Sequence, residues 1–131
     1  MNVKFPLKLI KWEALEHLDE IINTFDGVMV ARGDLGVEIP QEQVPSEQKR
    51  IIALANKTGK PVVIATQLLE TMVESPTPTR AEISDIANAI FDGTDALLVT
   101  GETAIGKFPE KVIEVLSKVV LETEQNIDFD N

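Results

Sequence analysis

The stretch VARGDLGVEIP, Val30 to Pro40, decides how the rest of the chain is read. An apolar run reaches Ala31 and passes directly into Arg32-Gly33-Asp34. A second glycine follows at Gly36, and the stretch closes on Pro40. The pattern predicts a buried strand that stops, turns twice on glycine and leaves a bare carboxylate at its carboxyl end. In parallel α/β folds, that end of the strand is where chemistry is placed.

Two further apolar runs match the one that begins at Val28. They are Pro61 to Ala65 and Ala96 to Val99. The three starts are about 34 residues apart, the length of one strand–loop–helix–loop unit. None alternates apolar with polar, which predicts strands buried on both faces of a parallel sheet. Turn signals precede each: Asp26-Gly27, Gly59-Lys60-Pro61 and Asp92-Gly93. Helical patterns fill the gaps. Trp12 to Thr24 sets Leu15, Leu18, Ile21 and Ile22 on one face. Pro45 suits a first helical turn, and Gly59 suits a helix end. Gln67 to Val73 reads as a short helix. Thr79-Arg80-Ala81-Glu82 reads as a capping box, followed by an inward stripe of Ile83, Ile86, Ala87 and Ile90. Pro109 opens a last helix with Val112, Ile113, Leu116, Val119 and Val120 inward. A further strand at Lys4 to Ile10 completes the count. The order fits either part of a (β/α)₈ barrel or a small doubly wound sheet.

The totals narrow the function. At 131 residues the chain has the length of one domain with a real core, and no linker interrupts it. Its net charge of −10 repels phosphate backbones, so nucleic acid is not an expected partner. No basic run suits anionic membranes, and no apolar run approaches spanning length. The absence of cysteine excludes disulfides and thiolate metal sites. The start, MNVKFPLKLIKW, does not read as a signal peptide, so a cytoplasmic chain is expected.

Three strand ends then share one rim. They offer Arg32-Gly33-Asp34, Thr66-Gln67 and Thr100-Gly101-Glu102-Thr103. Hard oxygen ligands suit Mg²⁺, which takes one or two carboxylates and completes its shell with water and substrate phosphate. The plainer reading stands beside it: a strand-end Asp more often caps the next helix than binds metal. Thr66 could cap a helix too, and Glu102 could belong to a structural turn. His17, the only histidine, reads as a surface residue among acids.

Read as words, these stretches resemble the pyruvate kinase family. DGVMVARGDLGVEIP (Asp26 to Pro40) is similar to that family's strand-end signature. So are GKPVVIATQLLETM (Gly59 to Met72), PTPTRAEISDIANAIFDGTDALLVTGETA (Pro76 to Ala104) and the closing FPEKVIEVL. The resemblance covers about Leu18 to Glu124, leaving residues 1–17 an atypical start to a single domain spanning 1–131. It implies a partial (β/α)₈ TIM barrel of about three to four βα units with parallel strands. It further implies that the first half of the barrel, the inserted cap domain and the carboxyl-terminal domain have no counterpart here. The K⁺ site would lie in those absent parts.

By the same resemblance, Asp34 matches a carboxylate ligand of the essential divalent metal, Mg²⁺ or Mn²⁺. Gly33 and Asp34 match positions whose amides hold the carboxylate of phosphoenolpyruvate, and Thr66 matches a hydroxyl near its reacting carbon. The family's preceding strand normally reads KIEN, where the Lys stabilises the transferring phosphoryl group and the Glu is the second metal carboxylate. An ungapped match sets Lys8 on the Lys and Ile10 on the Glu; a gapped one would use Lys11 and Glu13. A second departure is Ile105, where the family usually has Lys. With Ile10 in place of a carboxylate, metal binding should weaken. The expectation is half of a site for phosphoenolpyruvate and metal, with little or no kinase activity in the lone chain. Two alternatives stand beside it: a part of a working enzyme completed by another chain or by self-association, and a non-catalytic metabolite-binding or structural half-barrel that self-associates.

Overall fold

The structure is a computed structural model that describes residues 7–127. Four strands form one sheet: β1 (Leu7–Leu9), β2 (Gly27–Ala31), β3 (Val62–Ala65) and β4 (Ala96–Leu98). All neighbours are parallel and their order is β1-β2-β3-β4, with no reversal. Consecutive order decides between the two architectures left open by the pattern. A doubly wound sheet has a point where strand order reverses, whereas a barrel adds each strand beside the last. This is barrel order. The register sets Val30 opposite Ile64, and Ile64 opposite Leu97.

The helices are α1 (Leu18–Thr24), α2 (Arg32–Glu38), α3 (Val44–Lys57), α4 (Arg80–Phe91), α5 (Gly101–Ala104) and α6 (Pro109–Gln125). Short 3-10 turns occupy Trp12–His17, Gln41–Gln43 and Glu70–Val73. The residues gather into two compact units. One holds the described residues up to Ala65 together with Gly93–Leu98, and thus the whole sheet with α1, α2 and α3. The other holds Thr66–Asp92 and the described residues from Val99 on, and thus α4, α5 and α6.

The sheet unit is built on side chains withdrawn fully from water. Val28, Val30, Val62 and Ile64 come from the sheet, and Ile51, Ile52 and Ala55 from α3. α3 opens at Val44 with Pro45 in its first turn, where the missing N–H costs nothing. It ends before Gly59, whose φ of +71° suits a residue without a Cβ. The amino end of the sheet is tied by a side chain: the Val62 amide donates to the Asp95 carboxylate at 2.9 Å. β4 departs from the expected burial on both faces. Ala96 and Leu98, which share one face, are exposed, and β4 pairs with β3 alone as one edge of the described sheet.

The helical unit buries Ile86, Ala89 and Ile90 of α4 and Val112 of α6. The expected stripes shift. Ile83 is 39% exposed and Ala87 half-buried, while Ala89 replaces them inside. On α6 the buried positions are Val112 and Thr123, with Leu116 and Val119 half-buried between them. That spacing of four, three and four traces one helical face. Ile113, 49% exposed, therefore lies beside the face and not on it.

The capping box forms as the sequence predicts. The Glu82 amide donates to the Thr79 hydroxyl at 3.1 Å, and the Thr79 amide donates to the Glu82 carboxylate at 2.9 Å. The same carboxylate accepts from the Thr71 amide at 2.9 Å, which ties the preceding turn to the helix. Thr79→Ala is expected to cost about 1 kcal/mol, measurable by urea unfolding. Partial burial works to raise the Glu82 pKa, but the bonds from Thr79 and Thr71 outweigh it and hold the pKa below the ordinary glutamate value. A depressed carboxylate stabilises the fold at neutral pH and loses that contribution as the pH falls through the folded pKa. The native chain should therefore unfold later than Glu82→Gln at neutral pH, and the two unfolding curves should converge as the pH falls. The group is only half-buried, so solvent screening keeps the difference small.

Candidate functional site

The first strand end differs from its sequence reading. Arg32–Glu38 is a helix, α2, and not a double turn on glycine. Gly33 and Gly36 both lie inside it, and neither takes a positive φ. The helix is anchored from beneath by Leu35, which is fully buried. Gly33 and Asp34 fall in its first turn. The Asp34 side chain lies outside what the structure describes. Arg32, offered as a rim cation, is buried.

The second strand end is strained. Thr66 follows β3 directly with φ 67°, and Gln67 comes next with φ 57°. Both lie in the left-handed region, and neither is glycine. A β-branched residue there is an outlier, and such residues cost about 1–3 kcal/mol each. This pair stops the short helix expected over Gln67 to Val73, which begins only as a 3-10 turn at Glu70. Leu68 and Leu69, both fully buried, follow the strained pair.

The third strand end explains what holds this segment. Glu102 sits on α5 and is 1% exposed. Its Oε2 accepts from the Leu69 amide at 3.2 Å, and its Oε1 accepts from the Thr100 amide at 3.4 Å. One carboxylate thus joins the segment after β3 to the segment after β4. Downstream, the Lys107 amide donates to the Val73 carbonyl at 3.0 Å and repeats the tie. Of the two readings open to Glu102, the structural turn is the one that its geometry supports. The signal in the sequence was a carboxylate between glycine and threonine at a strand end; its burial could not be read there.

Lys8 lies in β1, opposite Val28. Its ammonium rests 5.7 Å above the Phe25 ring. Phe25 precedes β2 whereas Gly33 follows it, so Lys8 is engaged at the other end of β2 from Gly33. Ile10 comes directly after β1, donates its amide to the Met29 carbonyl at 2.9 Å, and is 1% exposed. An isoleucine so packed belongs to the core and supplies no ligand atom. His17 is exposed, as expected. Among the described residues, no three His, Cys, Asp or Glu side chains group as a metal site. No helix there is long and apolar enough to cross a membrane.

The comparisons fit this architecture. The family model of the pyruvate kinase barrel domain matches residues 1–113. A pyruvate kinase of Thermotoga maritima is 63% identical over 117 residues, covering 89% of this chain and 25% of that protein. One from Mycobacterium tuberculosis is 52% identical over 119 residues, covering 91% of this chain and 25% of that protein. The crystal structure of a pyruvate kinase from Cryptosporidium parvum superposes with a TM-score of 0.93 at 47% identity, covering 95% of this chain and 25% of that one. The chain thus spans about a quarter of the length of these relatives. With its strands in barrel order and its length matched almost throughout, the chain belongs to the pyruvate kinase family, as part of the barrel domain.

Proposed function

We propose that the chain carries half of a site for phosphoenolpyruvate and a divalent metal, with Gly33, Asp34 and Thr66 as candidate residues, each taken at its own strand end, and with little or no kinase activity on its own. The observation that carries this reading is the left-handed pair Thr66–Gln67 directly after β3. Strain of this kind persists only where the surroundings enforce it, and it clusters at ligand-binding positions. The family resemblance reads Gly33 and Asp34 as contacts of the substrate carboxylate and Thr66 as a contact near its reacting carbon.

The residues fit Mg²⁺ or Mn²⁺ in a limited way. Asp34 is one carboxylate, and Ile10 offers no second. One carboxylate suits a metal that arrives with substrate phosphate and keeps several waters. When bound, that metal would supply charge neutralisation for phosphoryl transfer. Lys8 matches the phosphoryl-stabilising lysine, but its place over Phe25 speaks against that role in the lone chain. No position is proposed for K⁺.

The test is pyruvate formation from phosphoenolpyruvate and ADP, with Mg²⁺ and K⁺, over a range of protein concentrations. No turnover at any concentration is expected. Turnover proportional to protein and abolished in Asp34→Ala would overturn the claim of inactivity. A second reading, a half-barrel completed by another copy or another chain, is favoured by the sheet's two edges. Among the described residues β1 and β4 each pair on one side only, and Leu98 on β4 is 40% exposed. Sedimentation showing a monomer at all concentrations would remove the self-associating form.

A further inference from the structure

We infer that Glu102 is the positioning residue for Thr66, and that it acts through the Leu69 amide. The inference rests on the reading of Thr66 as a substrate contact. Thr66 and Gln67 take a conformation that their side chains disfavour, with φ 67° and 57°. Such a turn needs the chain just beyond it to be fixed. Leu68 and Leu69 fix it partly by packing, since both are fully buried. Packing sets depth but not rotation about the chain. A directed bond at Leu69 sets rotation, and the acceptor of that bond is the Glu102 carboxylate at 3.2 Å.

The acceptor is itself held in place. Glu102 is 1% exposed, and its other oxygen accepts from the Thr100 amide at 3.4 Å. The turn carrying it is closed by bonds from the Ile105 and Gly106 amides to the Gly101 carbonyl, at 3.1 and 3.0 Å. Both bonds go to one side chain withdrawn from water, where an amide hydrogen bond is strengthened. The two bonds also define what a substitute can do. Glutamine keeps the length and shape but has a single acceptor oxygen, so its NH₂ must face one of the two amide donors. It should hold one bond and lose the other. Alanine loses both.

The experiment is calorimetric titration of the full chain with phosphoenolpyruvate in the presence of Mn²⁺. It is run on the native chain, Glu102→Gln, Glu102→Ala, Thr66→Val and the double variant Thr66→Val/Glu102→Ala. Amide hydrogen exchange at Leu69 is followed by NMR on the same proteins, with circular dichroism confirming the fold. Glu102→Ala should weaken binding about tenfold or more, with Glu102→Gln between it and the native chain. The double variant should bind no worse than the weaker single variant, because both changes disable one contact. A residue that merely supports the fold would instead give losses that multiply. Multiplying losses, or native affinity in Glu102→Ala, would overturn the inference while leaving the proposed site intact. If the native chain binds nothing, the proposed site falls, and exchange decides the brace alone. Faster exchange at Leu69 in Glu102→Ala would support it, and unchanged exchange there would overturn it.

Discussion

Gly106→Ala is expected to destabilise the helical unit by about 3 kcal/mol, the upper end of the range for forcing extra atoms into a packed site. A Cβ there would clash with the Glu102 carbonyl oxygen and stand 3.1 Å from its carbon and 3.4 Å from the Val73 Cα. All three neighbours are backbone, so no side chain can rotate away to make room. The Gly106 amide is also bonded to the Gly101 carbonyl at 3.0 Å, which prevents the residue itself from backing off. Its φ is not positive, so the requirement for glycine is one of space and not of backbone conformation. Urea unfolding should show a lower midpoint with little change in slope. The clash also pushes on the residue that braces the Thr66 segment, so binding should weaken together with stability.

Ile64→Ala should cost about 2–5 kcal/mol, the range for removing a large aliphatic side chain from a core. Ile64 lies in β3, which is paired on both sides, and its side chain is fully withdrawn from water. Its neighbours in register, Val30 and Leu97, are held by the ladders of β2 and β4 and cannot close over the hole. Ile64→Val removes a single methylene and should cost about 0.5–1.5 kcal/mol. The two variants should give a graded series in the unfolding midpoint. Equal costs would mean that the site collapses around the smaller side chain.

Those two positions show how unevenly the fold can be read from residue patterns. The strands were legible because each is a short apolar run bounded by turn residues, and Ile64 sits in the middle of one. The capping box at Thr79 and Glu82 was legible because its chemistry is local. α2 was not. Two glycines in RGDLGVE lower helix propensity by about 1 kcal/mol each, which reads as a turn. Burial of Leu35 beneath that helix outweighs the propensity, and burial is a tertiary fact. Barrel order was likewise invisible to spacing, which fits two architectures equally; only the resemblance pointed to it.

The candidate site divides the same way. Gly33 and Thr66 were found at strand ends, where connectivity places them. The left-handed turn at Thr66 was not foreseeable, because threonine is among the residues least suited to it. Lys8 is read from a single word, the ungapped match to KIEN. Its engagement with Phe25 depends on a side-chain direction that no word contains. Glu102 was noticed as a rim carboxylate, yet its bonds run to backbone amides of its own unit.

The most direct test of the central claim is metal-dependent binding of phosphoenolpyruvate to the full chain, compared with Asp34→Ala. If Asp34 holds the metal that bridges to the substrate, the native chain should bind in the presence of Mn²⁺. Asp34→Ala should bind about tenfold more weakly or worse, with its unfolding midpoint unchanged. Equal affinity in the two proteins, or no binding to the native chain at any accessible concentration, would contradict the account.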